Sequence, residues 1–213
     1  PGVVGTGPCG LFAALTLAQL GLRPLVIERG KAVRERTKDT WGFWRKQIFN
    51  QESNVQFGEG GAGTFSDGKL WTQAKDRRHL GRKVMEEMVK GGAPEEILYV
   101  SKPHVGTFRL VKIVEYLRSE IERLGGEIRF SSRVENIVVE AGGIRGLETL
   151  NMISGERSEI DANQVVLAVG HSARDTFEML HSRGVFVEPK PFSIGFRIEH
   201  PQGVIDRARF GNE

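Results

Sequence analysis

Three glycines near the amino terminus have the spacing of a turn that binds phosphate. Gly5, Gly7 and Gly10 follow a short apolar run and precede a longer one, residues 11–20. Glycine at the first position permits a sharp exit from a strand, at the second it admits a pyrophosphate, and at the third it lets a helix pack closely. Pro8 is tolerated because the first helical position needs no N–H donor, and the free N–H groups of a first turn attract anions. The pattern predicts a dinucleotide-binding turn, with a purely structural turn as the weaker alternative.

A carboxylate stands where a ribose would be recognised. Glu28 closes an apolar segment, residues 25–27, and lies eighteen residues after Gly10. At that distance a carboxylate can accept hydrogen bonds from both hydroxyls of an adenosine ribose, and it disfavours a 2′-phosphate. Because the turn follows a strand, opens a helix and is completed by this acid, we favour a dinucleotide site. The turn and the acid leave open which dinucleotide is bound.

A second glycine-rich segment, residues 54–70, is predicted to be a packed loop with a function. Five glycines fall within residues 58–68, which excludes a regular helix or strand. Successive N–H groups in such a segment can bind an anion or donate to the ring of a cofactor. A flexible linker is the alternative, but linkers are usually polar, and apolar side chains interrupt this segment. The candidate contacts are Gly60, Gly61, Ala62, Gly63 and Thr64.

Hydrophobic periodicity predicts the elements that position these residues. Apolar residues at helical spacing predict helices over 11–20, 79–90 and 107–124, each followed by glycine. The charged residues 31–47 favour a surface helix or an ordered loop. Residues 127–130 should form a strand beside the second one.

The second half of the chain changes to short β segments. Segments within residues 133–162, separated by glycine turns, predict an antiparallel meander. The apolar run 164–170 predicts another parallel strand of the first sheet, buried on both faces. Ser172, with Asp175 three residues later, predicts a capped helix. Residues 192–199 predict a strand that begins a second domain.

Several polar residues have both a functional and a structural interpretation. Arg29, Arg34 and Arg36 could reach phosphate or adenine, although a solvated face is the commoner fate of such side chains. Arg29 is nevertheless kept among the candidate cofactor residues. Four further polar residues lie in candidate loops, and for each a structural role outweighs a catalytic one, so no catalytic residue is assigned. They are Asp67, Lys69, His104 and His171.

Composition narrows the function classes. The 213 residues can form one large domain or one and a half, and 30 basic against 27 acidic residues give little support for nucleic-acid binding. One cysteine excludes a disulfide framework and a redox pair, and no zinc-ligand pattern is present. Without an apolar run of membrane-spanning length or a leader, the expected location is the cytoplasm. We also expect a chain cut at both ends, since it opens four residues before Gly5.

With these motifs in place, the chain resembles the FAD-binding two-domain flavoproteins. More closely, residues 59–70, 102–107 and 170–175 resemble the uncharacterised FAD-dependent dehydrogenase family of bacteria. The resemblance implies an α/β fold in which a Rossmann-like FAD-binding domain has a parallel sheet and an inserted three-stranded β-meander. This domain would span residues 1–184, with 76–106 as a helical excursion toward the substrate domain. Residues 185–213 would begin that second domain, which is truncated.

The resemblance also implies roles for single residues. The pyrophosphate of FAD would lie on Gly5, Gly7, Pro8, Cys9 and Gly10, and the adenosine ribose on Glu28, beside Arg29. Val134 would bind adenine through its backbone, and Gly170 would approach the cofactor at the end of its strand. The segment from Gly60 to Thr64 would lie near the isoalloxazine.

The function implied is an FAD-dependent oxidoreductase that passes electrons or hydride to or from a small-molecule substrate, with NAD(P)H as a possible donor. A flavoenzyme acting on RNA, an NAD-binding module and a non-catalytic fragment are the alternatives. A meander before the last strand favours flavin over a simple NAD domain. Two features depart from the family pattern. In such flavoproteins a segment after the substrate domain returns to bind the flavin, and this sequence ends before it; and Cys9 has no redox partner in the sequence. No membrane partner is expected, and the oligomeric state is left open.

Overall fold

The structure is a computed structural model that describes residues 1–72 and 75–211. Its strands are β1 (Gly2–Val4), β2 (Leu25–Ile27), β3 (Glu127–Arg129), β4 (Ser132–Glu140), β5 (Gly143–Asn151), β6 (Arg157–Asp161) and β7 (Val165–Leu167). Its helices are α1 (Pro8–Gln19), α2 (Val33–Lys46), α3 (Leu80–Lys90), α4 (Thr107–Arg123), α5 (Arg174–Ser182) and α6 (Gln202–Phe210). Two 3₁₀ turns cover Ala62–Phe65 and Glu95–Leu98.

Four short strands form a parallel sheet in the order β3-β2-β1-β7. Gly2 of β1 is paired with Leu25 of β2 on one side and with Val165 of β7 on the other. The strand predicted over 127–130 lies beside β2, as expected. Because all four strands run in one direction, their carboxyl ends meet at one edge of the sheet, which is where ligands bind in open α/β sheets.

Alternate residues of the two central strands supply two separate cores. Val3 and Val26 are fully buried against the first, which includes residues of α1 and α4. Val4 and Ile27 face the second core, with residues of β4, β5 and α5. This alternation is the period of two that a strand imposes on its side chains. The sheet is therefore the middle layer, with helices on one face and the meander with α5 on the other.

The long helices form where apolar residues recur at helical spacing. The predicted stripes of α1 and α4 are buried, and both helices pack on the sheet and on each other. In α1 the buried residues are Gly10, Leu11, Ala14, Leu15 and Ala18. In α4 they are Leu110, Ile113, Val114, Leu117 and Ile121.

The predicted meander is confirmed as a separate antiparallel sheet in the order β4-β5-β6. Two glycine turns join its strands. Leu147 of β5 is fully buried and, with Val134 and Ile137 of β4, covers the second face of the parallel sheet. The connection between β3 and β7 is therefore this sheet, where a simple nucleotide-binding domain would use a helix.

The prediction that β7 is buried on both faces is wrong. Val166 is 37% exposed and Leu167 is 40% exposed. The reason is position, because β7 ends the strand order and pairs only with β1 in the described part of the chain. An apolar run indicates a strand but does not distinguish a central strand from an edge strand.

Two further predictions after residue 170 are also wrong. Ser172 and Asp175 do not cap α5: Ala173 precedes the helix without a side-chain cap, and the Ser172 hydroxyl instead contacts Gln56 Oε1 at 3.1 Å. Residues 192–199 form no strand, since no described strand pairs with them, and α6 follows at Gln202. The domain division stays a prediction, and its last two residues, Asn212 and Glu213, lie outside the described part of the chain.

A buried carboxylate joins α2, α4 and the glycine-rich loop. Glu59 is fully buried, and its Oε2 accepts hydrogen bonds from the backbone N–H of Val33 at 2.7 Å and from Arg118 Nη1 at 3.1 Å. Its Oε1 has no hydrogen-bond partner among the described residues. Burial raises the pKa of Glu59 to about 7, although the Val33 N–H and the Arg118 charge act in the opposite direction. The ionised form is therefore poorly compensated.

Replacing Gly10 with alanine should destabilise the fold. The new methyl group would collide with the Gly5 carbonyl, where α1 crosses the end of β1, and such overpacking costs about 1–3 kcal/mol. The matched control is Gly42→Ala in α2, where nothing lies within 4 Å of the added carbon and helix propensity predicts a gain of about 0.5–1 kcal/mol. Denaturant unfolding measures both. Equal effects of the two substitutions would contradict the packing described for Gly10.

Glu59→Gln should change how stability depends on pH. Because the folded-state pKa lies above the usual 4.5, Glu59 contributes its full stability below about pH 4.5 and loses it as pH rises through about 7. Relative to the glutamine variant, the native protein should lose on the order of 2–3 kcal/mol of unfolding free energy across this range. Thermal unfolding between pH 5 and pH 8, with the exposed Glu156→Gln as control, provides the test. Parallel curves for Glu59→Gln and the native protein would refute it.

Candidate functional site

A cleft of about 590 Å³ opens at the carboxyl ends of β1, β2 and β7. This volume lies within the range of about 300–1,000 Å³ typical of small-molecule sites. Eleven of the fourteen predicted cofactor residues line it. They are Gly5, Gly7, Pro8, Cys9, Glu28, Arg29, Gly61, Ala62, Gly63, Val134 and Gly170.

The three predicted residues that do not line the cleft are buried beneath its surface. Gly10 is buried under the turn, where any side chain would meet the Gly5 carbonyl. Gly60 donates its N–H to the Thr6 carbonyl at 2.8 Å, and the space beside its Cα is filled by Thr64. Thr64 is itself 2% exposed. These residues shape the cleft without facing it.

The first glycine turn contains two kinds of glycine. Gly5 has a φ of +99°, and a side chain there would strike the Ala168 carbonyl, so packing and backbone conformation require glycine. Gly7 has an ordinary φ of −65°, and among the described residues beyond its chain neighbours an added Cβ would have one neighbour within 4 Å, Gly61 Cα at 3.8 Å. The protein itself therefore leaves room at Gly7, and this room opens into the cleft at the start of α1.

The start of α1 supplies donors to the same place. Gly7 is the N-cap residue and Pro8 occupies the first helical position. The N–H groups of a first helical turn have no partner within the helix, and the helix dipole is positive there. Cys9, the one cysteine of the sequence, is free and exposed at this end of the helix.

Glu28 lies beside the turn, and its carboxylate is held by the protein. Thr6 donates to Oε2 from its backbone N–H at 2.8 Å and from its hydroxyl at 2.6 Å. Oε1 accepts from the N–H groups of Gly30 at 2.8 Å and Gly58 at 3.0 Å. A carboxylate has about four lone-pair positions, and these four donors match that number, so a ribose hydroxyl would have to compete with a protein donor. The ribose contact stays a prediction, whereas the clamp on the turn is a second role that sequence reasoning missed.

Arg29 lies at the rim of the cleft in an ion-pair network. Its guanidinium donates to Glu52 at 2.8 Å and to Asp175 at 2.6 Å, and it stacks 4.3 Å from the centre of the Phe57 ring. Burial alone would lower the pKa of Arg29, but the two carboxylates outweigh burial and raise it. The network ties β2 to α5 and to the loop before Gly58. Arg29 therefore lines the cleft as a charge held in place by these contacts.

Val134 and Gly170 line other parts of the cleft. Val134 is 6% exposed in β4, just before a register irregularity with β5. Gly170 follows β7 with a φ of +73°, and nothing lies within 4 Å of the position of its missing Cβ. A left-handed conformation favours glycine there independently of packing. His171, which sequence analysis considered structural, also lines the cleft and is exposed.

The largest omission of sequence reasoning is Arg36. The solvated face expected for the arginines holds for the exposed side chain of Arg34 but is wrong for Arg36, which is 0% exposed. It donates to backbone carbonyls of the glycine-rich loop, and burial lowers its pKa to about 10. One signal could have found it: Val33, Arg36 and Thr40 recur at helical spacing and form the buried face of α2.

The described residues contain no group of three or more side chains suited to hold a metal ion. None of their helices has the length and apolar character needed to cross a membrane. The two candidate loop residues Lys69 and His104 form an isolated antiparallel bridge, and neither lines the cleft. The structure thus brings together residues that could bind a ligand.

Solved structures with a similar fold include THI4 of Thermovibrio ammonificans. The match has a TM-score of 0.54 and 19% identity, and it covers 87% of this chain and 62% of that one. FrdA of E. coli quinol fumarate reductase matches with a TM-score of 0.52 and 18% identity, over 81% of this chain and 32% of that one. At these identities the likeness concerns the fold alone, and it agrees with the predicted α/β class.

Sequence comparison provides a closer relative and a family. An uncharacterized protein of Clostridium beijerinckii is 50% identical over 212 residues, and the chain spans 38% of its length. The model of the pyridine nucleotide-disulphide oxidoreductase family matches residues 2–188, which contain every predicted cofactor residue. The resemblance to FAD-binding oxidoreductases is confirmed at this level, and the chain belongs to the pyridine nucleotide-disulphide oxidoreductase family.

Proposed function

We propose that this chain binds FAD and serves a flavin-dependent oxidoreductase reaction on a small-molecule substrate. The observation that carries the proposal is the open space at Gly7, which neither packing nor backbone conformation explains. A pyrophosphate bound at the first turn of α1 would need the space beside Gly7 to be free of a side chain. Family membership supports oxidoreductase chemistry.

The connection between β3 and β7 favours FAD among dinucleotides. An NAD-binding module would join these strands through a helix, whereas here the antiparallel sheet of β4, β5 and β6 lies between them. This sheet brings Val134 to the cleft, where its backbone would contact the adenine. Glu28 and Arg29 would lie at the ribose, and Gly170 would approach the cofactor from β7.

The glycine-rich loop would lie beside the flavin ring. Gly61, Ala62 and Gly63 line the cleft next to Gly7, and backbone N–H groups in this loop would stabilise negative charge on the ring. The flavin supplies two-electron transfer, and the protein supplies binding, orientation and electrostatics. NAD(P)H is the proposed electron donor, in keeping with the pyridine nucleotide of the family description.

The first test is the identity of the bound cofactor. Purified protein should show a flavin absorption spectrum, and denaturation should release FAD, which chromatography distinguishes from FMN and NAD. One FAD per chain is the expected stoichiometry. A colourless protein that takes up no added FAD, or one that binds NAD alone, would overturn the proposal.

Gly7→Val should remove FAD and leave the fold intact. Among the described residues, a Cβ added at Gly7 has one neighbour within 4 Å outside its own chain neighbours, Gly61 Cα at 3.8 Å, but the valine would occupy the space assigned to the pyrophosphate. We expect FAD affinity to fall by about 100-fold or more, equivalent to about 2.7 kcal/mol. Fluorescence titration with FAD measures the affinity, and far-ultraviolet circular dichroism checks the fold. Gly42→Val, the same change in a helix outside the cleft, should bind as the native protein does; unchanged affinity in Gly7→Val would exclude this pyrophosphate site.

A further inference from the structure

The wall of the cleft that faces Gly7 is a loop with little regular structure, and one buried cation organises it. Residues 50–61 precede the 3₁₀ turn Ala62–Phe65 and contain no helix or strand. We propose that Arg36 of α2 is a positioning residue that holds residues 54–64 as this wall of the cofactor cleft. The inference rests on the proposed function and extends it to a residue that lies outside the cleft lining.

The contacts of Arg36 are almost all with the loop backbone. Nε donates to the Asn54 carbonyl at 2.8 Å and Nη2 to the Val55 carbonyl at 2.7 Å. Nη1 donates to the carbonyls of Glu59 at 2.7 Å and Gly61 at 2.8 Å. A guanidinium has five donors in a planar fork, so one side chain fixes four points along eight residues of chain.

Because the Arg36 guanidinium is buried, it depends on the loop carbonyls for its hydrogen bonds. Arg36 is 0% exposed and forms no ion pair within 4 Å among the described residues; Glu28 and Glu59 act on its charge from a distance. A buried charge is costly unless hydrogen bonds replace its hydration. The four carbonyls provide that replacement, so they must stay where the guanidinium needs them. One cation therefore contacts four carbonyl groups of the loop.

The loop also wraps around the stem of Arg36. A side chain at Gly58 would collide with Arg36 Cδ, and Gly58 has a φ of +117°. On its other side, the Gly58 N–H donates to Glu28 Oε1 at 3.0 Å. The segment is therefore held between the Arg36 side chain and the carboxylate that clamps the glycine turn.

The position of the loop decides the width of the cleft at the proposed pyrophosphate. A Cβ on Gly61 would lie 2.8 Å from Gly7 Cα, and the Gly60 N–H donates to the Thr6 carbonyl at 2.8 Å. Because the Gly61 carbonyl is one of the acceptors of Arg36, release of this hydrogen bond frees the residue that contacts Gly7. The loss of Arg36 would thereby alter cofactor binding without removing any group that touches the cofactor.

The test compares Arg36→Lys, Arg36→Met and the matched control Arg34→Met. Lysine keeps the charge but cannot reach four carbonyls with a planar fork, so FAD affinity should fall by about 10-fold in Arg36→Lys and by more in Arg36→Met. Arg34 lies on the exposed side of the same helix, paired with Glu115, and its replacement should leave affinity within about twofold. Fluorescence titration measures affinity, and visible circular dichroism of the bound flavin reports its environment.

Hydrogen exchange separates positioning from general stability. In Arg36→Lys the N–H groups of residues 54–64 should exchange faster, while those of α1 and α4 keep their protection. If Arg36→Met does not fold, the exchange and affinity of Arg36→Lys still test the inference. Native affinity together with native exchange in Arg36→Lys would overturn this inference and leave the proposed function standing. Uniform loss of protection across the chain would do the same. Native protein that takes up no FAD would overturn the proposed function together with this inference.

Discussion

The close approach of α1 to the end of β1 is the constraint on which the rest of the structure depends. A side chain at Gly10 would meet the Gly5 carbonyl, and one at Gly5 would meet the Ala168 carbonyl after β7. Three backbone segments thus converge where no side chain fits. This convergence places the start of α1 over the carboxyl ends of the strands, and it leaves Gly7 as the open position in the same turn.

A second constraint links the turn to the neighbouring strand. The Glu28 carboxylate collects donors from Thr6, Gly30 and Gly58, so it joins the glycine turn, the exit of β2 and the glycine-rich loop. A hydrogen bond from a backbone N–H to a buried carboxylate is stronger than one between neutral groups. Glu28 lines the cleft and also holds the glycine turn in place, a structural role that motif spacing does not indicate.

Sequence reasoning predicts those parts of the fold that local signals specify. Gly5, Gly7, Gly10 and Glu28 stand at fixed spacing along one strand-turn-helix-strand unit, and the structure brings them to one place. The stripes of α1 and α4 and the meander follow equally from periodicity within single elements. The prediction of the cleft as a dinucleotide site rests on these same local features, and the contacts with the cofactor remain predictions.

The failures concern properties that no single segment contains. Burial of β7 depends on which strands flank it, and a strand over 192–199 needs a partner that the described chain does not place there. The spacing of Asp175 predicts a capping box, but in the structure its carboxylate accepts hydrogen bonds from Arg29, 146 residues earlier. Arg36 looks like a surface charge in a charged helix, because its acceptors are backbone carbonyls that have no signature in the amino-acid sequence.

That last property has an evolutionary consequence. Since Arg36 donates to main-chain oxygens of Asn54, Val55, Glu59 and Gly61, these hydrogen bonds do not depend on the side chains of Gln56 and Phe57 between them. Gln56, Phe57 and Ala62 face the cleft, so mutations at these positions can diversify what the cleft accepts while the loop keeps its frame. A scaffold held through its backbone can acquire new specificities by single substitutions without refolding.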